Sequence, residues 1–64
     1  MNFIERLQSK LDIKNYIFRK ENLIIELNDA TYQLNLNTKI ISHVDGRYSE
    51  LIHNNLIKEL WKKY

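Results

Sequence analysis

Along TYQLNLNT, residues 31 to 38, apolar and polar side chains alternate without interruption. Tyr32, Leu34 and Leu36 fall on one side; Thr31, Gln33, Asn35 and Asn37 fall on the other. A period of two is the pattern of a strand with one buried face. Tyr16 to Lys20, Leu23 to Leu27, Ala30 to Leu36, and Lys39 to Ile41 or beyond read as strands. The gaps between them are Glu21-Asn22, Asn28-Asp29 and Asn37-Thr38, each with an Asn, which tolerates the positive φ of hairpin turns. Taken as two-residue hairpins, the first pairs Phe18 with Ile25 and Tyr16 with Leu27. The second pairs Ile25 with Tyr32 and Leu23 with Leu34. One face then collects Tyr16, Phe18, Leu23, Ile25, Leu27, Tyr32, Leu34 and Leu36, and a slip of one residue would send each set to the wrong side. The expected sheet is a four-stranded antiparallel meander.

The third turn admits two arrangements. A two-residue loop puts Ile41 and His43 on the covered face and leaves Ile40, Ser42 and Val44 outside. A three-residue loop with a bulge reverses this. The bulged form is preferred, because it buries Ile40 and Val44 and exposes His43.

Helical spacing flanks the sheet. Phe3, Ile4, Leu7 and Leu11 recur as one stripe, and Asn2 with Glu5 forms a capping box, which predicts a helix from about residue 3 to residue 11. Asp45-Gly46 ends the sheet, and with Asp45 as cap a second helix is expected from about Arg47 to Lys62. On its wheel Ile52, Leu56, Ile57, Leu60, Trp61 and Tyr64 share one half, with His53 among them; Asn54, Asn55, Lys58, Glu59 and Lys62 share the other, with Leu51 among them. The expectation is a single α+β domain over residues 1–64: helix, meander, helix, with both helices on one sheet face.

Composition bounds what such a domain does. A chain of 64 residues buries only about 60% of its unfolded surface, so its stability is marginal unless something staples it. There is no Cys, hence neither a disulfide nor a thiolate metal site. Tight packing or association with another surface remains. Ten basic and eight acidic residues are intermingled for a net charge of +2, without the concentrated basic patch that nucleic acid favours. The first residues carry Glu5, Arg6 and Lys10 in place of an apolar stretch, so no signal peptide is expected, and no apolar run is long enough for a membrane span. These features are compatible with a cytoplasmic protein, and abundant Asn, Ile and Lys, with their AT-rich codons, point to a bacterial or phage source.

Candidate chemistry is sparse. His43 and His53 are the only histidines, and no His or carboxylate pair has i, i+4 metal-site spacing on one helix. His53 is expected to be a partly buried imidazole satisfied by a carbonyl or a Tyr hydroxyl. Ser9, Ser42 and Ser49 lack a nucleophile-elbow context, and the single Gly excludes a glycine-rich phosphate loop. A non-enzymatic protein without cofactor or metal is therefore expected, and a small enzyme built around His43 or His53 ranks last. The C-terminal LWKKY, with Lys58 a turn earlier, combines lysines for phosphate with aromatics for base stacking. Trp61 nonetheless falls in the apolar row, which predicts lysines snorkelling over a buried indole. The element order resembles that of the double-stranded-RNA-binding domain, a family that reads backbone shape with lysines at the start of its second helix. The matching stretch, GRYSELIHNN, has Arg47 as its only basic residue, opposed by Glu50.

The uncovered face of the sheet is the better candidate. It is expected to carry Ile17, Arg19, Ile24, Glu26, Gln33 and Asn35, with Thr31 and one of Ile40 or Ile41, and Ile24 is expected opposite both Arg19 and Gln33. An apolar centre rimmed by polar groups is the anatomy of a contact surface. Arg19 and Lys20 guard the first edge strand, while the last strand has only Lys39 and is the more open to strand addition. The reading is a protein-interaction module, regulatory or inhibitory, that binds another protein or a second copy of itself as a homodimer. A weak nucleic-acid binder using Arg47, Lys58, Lys62 and Lys63 is the alternative.

Overall fold

A computed structural model describes residues 3–62. The elements run α1 (Phe3–Lys10), β1 (Ile13–Arg19), β2 (Asn22–Leu27), β3 (Ala30–Asn35), β4 (Ile41–Gly46) and α2 (Glu50–Leu60). The four strands form one antiparallel sheet in the order β1-β2-β3-β4, and both helices lie on the same face. The fold is α+β, as the periodicity predicts. The expected Asn2 cap, Lys63 and Tyr64 lie outside the described residues.

Leu7 of α1, Leu23 and Ile25 of β2, Tyr32 and Leu34 of β3, and Leu56 and Leu60 of α2 form the buried core. Cover is thus concentrated on the two central strands, and β1 and β4 are exposed along most of their length.

The second hairpin has the expected register, with Ile25 opposite Tyr32 and Leu23 opposite Leu34. The first differs by two residues: Phe18 lies opposite Leu23, Tyr16 opposite Ile25 and Ile17 opposite Ile24. Its turn is Lys20-Glu21, with Lys20 at φ 54, and Asn22 stays in the ladder opposite Arg19 and Asn35. This register lets β1 begin at Ile13, opposite Leu27 across an irregularity at Lys14. The expected register would have run Ile13 past the end of β2. A two-residue shift preserves every side-chain face, so periodicity does not distinguish the two.

The third connection is not the bulged turn. Asn35 N–H donates to Ile40 O (2.9 Å) and Lys39 N–H to Asn35 O (2.8 Å), closing a loop of Leu36 to Lys39 with Lys39 at φ 65. The Asn35 side chain organises it, its Oδ1 accepting the Asn37 and Thr38 N–H groups at 2.9 and 2.8 Å. An even loop keeps the parity of a two-residue turn. Ile41 and His43 therefore lie on the helix side, opposite Leu34 and Tyr32, while Ile40 and Val44 are exposed. The bulge falls later, at Val44, between His43 opposite Tyr32 and Asp45 opposite Thr31.

The second helix starts later than expected, because β4 continues through Gly46, which pairs with Ala30. Asp45 is no cap. Ser49 is: its Oγ accepts the Ile52 N–H (3.3 Å). The buried Tyr32 hydroxyl in turn accepts the Ser49 N–H (2.9 Å), tying the start of α2 to the middle of the sheet. Tyr32→Phe should cost about 1 kcal/mol and lower the melting midpoint by about 4–8 °C. A thermal melt followed by circular dichroism measures it, and an unchanged midpoint would show the bond contributes nothing.

Candidate interaction surface

On the face away from the helices, the register sets out three cross-strand rows. The central row is Ile17–Ile24–Gln33–Ser42. On one side of it Arg19 faces Asn22, which faces Asn35; on the other, Asn15 faces Glu26, which faces Thr31 and then Asp45. All six residues expected on this face, Ile17, Arg19, Ile24, Glu26, Gln33 and Asn35, fall within these rows. The shifted hairpin changes the centre: Ile24 meets Ile17 directly, where Arg19 was expected. Two isoleucines thus stand side by side between polar rows, with Ile40 and Val44 adding exposed apolar surface at the far edge. Asn35 is the weakest member, since its amide is engaged by the turn and by Glu21 Oε1 (3.4 Å).

The two sheet edges exchange the roles expected of them. The β4 edge is interrupted by the bulge at Val44 and ends at Gly46, whose φ is 81. The β1 edge pairs regularly from Asn15 to Arg19, and its middle is bare on both faces: Tyr16, Ile17 and Phe18 are 40%, 44% and 54% exposed. Tyr16 and Phe18 lie on the helix side, edge to face with ring centroids 6.0 Å apart. Along them runs a groove of about 490 Å³, walled by Phe3, Ile4 and Gln8 of α1 and by Leu36.

The basic residues divide into separate places. Arg47 lies beside the cleft at the start of α2, with Asp12, Asn28, Asp29 and Ile52. Lys58, in the last turn of α2, and Lys62, just past its end, lie roughly 15 Å away by helical rise. The structure therefore does not bring Arg47 together with Lys58 and Lys62 of the nucleic-acid alternative; its fourth residue, Lys63, lies outside the described residues. Near the end of α2 the polar and apolar expectations are exchanged. Glu59, expected on the solvated side, is 1% exposed, and Trp61, expected in the core, is 61% exposed. Glu59 Oε1 accepts from Arg6 Nε at 3.0 Å, and its Oε2 from Lys10 Nζ at 2.5 Å and Lys62 Nζ at 3.3 Å. The Lys10 hydrogen bond is the main cause that lowers the carboxyl from its ordinary 4.5 to about 2; burial opposes it, and Arg6 and Lys62 reinforce it. Arg6 and Lys10, one turn apart on α1, were the available sequence signal for a buried anion facing them.

The histidines flank a tyrosine rather than a pocket. His43 packs against Tyr32 (5.4 Å between ring centroids) and Tyr48 (5.8 Å), and Tyr48 against His53 (5.8 Å). His53 is partly buried, as expected, but its Nδ1 has no hydrogen-bond partner among the described residues. Among the described residues no cluster of three or more His, Asp or Glu is placed to hold a metal ion, and no helix is long and apolar enough to cross a membrane. No protein-family model matches the chain, and no curated protein or solved structure matches it closely enough to be a relative.

Proposed function

We propose that this protein is a non-enzymatic interaction module, a small regulatory or inhibitory protein of the bacterial or phage cytoplasm, which binds another protein through its open sheet. The observation that carries this reading is the Ile17–Ile24 pair at the centre of a face with no helix over it, between rows of Asn, Glu, Thr and Arg. An apolar centre within a polar surround is how protein contact surfaces exclude water from their middle. Ile24→Asp tests it. The variant should fold, with an unchanged far-ultraviolet spectrum, and should lose at least tenfold in affinity for a partner captured from the native cell. Undiminished capture by a folded Ile24→Asp would remove the open face from consideration, and an unfolded variant would place Ile24 in the core.

The exposure of Trp61 beside Lys58 and Lys62 favours a second reading, contact with single-stranded nucleic acid by stacking and phosphate pairing. Two features oppose it: Lys62 is held by Glu59, and Arg47 lies at the other end of the helix. This reading requires an electrophoretic shift at low salt, and its absence would dismiss it.

A further inference from the structure

We infer that the occupant of the β1 edge is a second copy of this chain, paired antiparallel with Ile17 on the two-fold axis. The inference rests on the reading of the open sheet as a binding surface, and adds to it the partner, the strand and the register.

The bare middle of β1 selects the mode of association. Tyr16 and Phe18 are exposed on the helix side and Ile17 on the other, so a partner resting on either face leaves the opposite side chains in water. Only a strand added at the edge covers both at once, because its own side chains alternate across the same two faces. The edge has the means to accept one. From Asn15 to Arg19 it has neither Pro nor a bulge, and the irregularity at Lys14 and the turn at Lys20 lie outside that stretch. The β4 edge lacks this continuity.

The sequence of β1 is complementary to itself. A two-fold axis normal to the sheet pairs residues of the same face, since an isologous contact repeats each pair in reverse. With Ile17 opposite Ile17, Tyr16 of each copy meets Phe18 of the other, an aromatic cross-strand pair formed twice. On the open face the isoleucine row becomes Ile24–Ile17–Ile17–Ile24, twice the length that one chain provides. Charges are arranged to match. Asn15 faces Glu26 within one copy, and the pairing sets Arg19 of the other copy on the far side of Asn15. Guanidinium and carboxylate then lie two strands apart, about 10 Å between backbones, a span their extended side chains bridge over the short Asn. A stable dimer covers about 800 Å² per copy, roughly a sixth of the 4573 Å² surface. A strand edge alone falls short of that. The groove between α1 and Phe18 borders the same edge, and its walls from the two copies close over the aromatic pairs.

Because the chain has no Cys, single introduced thiols test the register. Sedimentation equilibrium of the wild-type chain at high micromolar concentration should give about twice the 7.8 kDa chain mass. Ile17→Cys should form a covalent dimer under mild oxidation, as directly opposite residues lie about 4.5–5.5 Å apart between Cα atoms, within disulfide reach. Arg19→Cys, about 14 Å from its counterpart in this register, should cross-link at least tenfold more slowly. Phe18→Lys, on the helix side and away from the open face, should leave a folded monomer, read from its mass and its circular dichroism. A monomeric wild type, equal cross-linking at both positions, or a folded Phe18→Lys that remains dimeric would each overturn the proposal. None of these would touch the open-face reading, which Ile24→Asp decides separately.

Discussion

Gly46→Ala should remove a large share of this chain's stability. Gly46 has φ 81, where a side chain costs about 1–2 kcal/mol. The greater cost is steric. A Cβ at this position would lie 2.1 Å from Asp29 O, in the β2–β3 turn, and 2.7 Å from Ala30 Cα, at the start of β3, both backbone atoms that cannot swing aside. The same Asp29 carbonyl accepts the Arg47 N–H at 2.8 Å, so moving the turn away breaks the bond that docks the β4–α2 connection. Strain and lost contacts together should exceed about 3 kcal/mol, against a total of about 3–10 kcal/mol for a domain of 64 residues. Urea denaturation measures the loss, and a Gly46→Ala chain within 1 kcal/mol of the wild type would contradict the close approach. Lys20 and Lys39 also have positive φ, at 54 and 65, but sit at exposed or half-exposed turn positions.

Removing the Glu59 carboxylate should have the next largest effect. Glu59→Gln keeps the shape and deletes the charge facing Arg6, Lys10 and Lys62. Breaking a buried pair from one side costs about 3–5 kcal/mol because the remaining ion is left uncompensated. Lys10 and Lys62 are about half exposed and reach water, whereas Arg6 is largely enclosed, so about 3 kcal/mol is expected, chiefly from Arg6. The melting midpoint should fall by about 12–24 °C. Acid provides the same test without mutation. The folded carboxyl titrates near 2 and the unfolded one near 4.5, so the native state is the less protonated of the two. Its contribution is complete above the unfolded value and disappears as pH falls from 4.5 toward 2. Wild-type stability should decline across that window, and Glu59→Gln should decline less. Parallel pH profiles would show that the clasp contributes nothing.

The faces of the sheet were legible in the sequence because parity is a robust quantity. Tyr32, Leu34, Leu23 and Ile25 alternate in step, and neither of the first two turns alters which side they take. Register was less legible. Lys20-Glu21 and Glu21-Asn22 give the same faces, and the difference rests on the partner found for Ile13, near the far end of the strand from the turn. The parity of β4 depended on whether its loop was odd or even, and the residue that decides it, Asn35, reads as a strand position although its side chain builds the turn. On α2 the wheel was right about Leu56 and Leu60 and misled at Glu59 and Trp61. A hydrophobicity pattern ranks side chains by solvent preference, whereas Glu59 is buried against Arg6 and Lys10, brought from α1, with Lys62 three residues further on. The candidate face was visible as a list of residues. Its centre was not, because the Ile17–Ile24 contact exists only in the observed register.

The clasp on Glu59 also governs when the molecule can fold. Arg6 and Glu59 are 53 positions apart, and the core that they border takes Leu7 from the first helix and Leu56 and Leu60 from the last. A ribosome delivers α1 and the whole meander before it delivers that last helix. Until Leu60 has emerged, the growing chain has a sheet without its second cover and two cations without their anion. Completion of the core therefore waits for the last helix, and the meander without it is the partly covered species most open to wrong association.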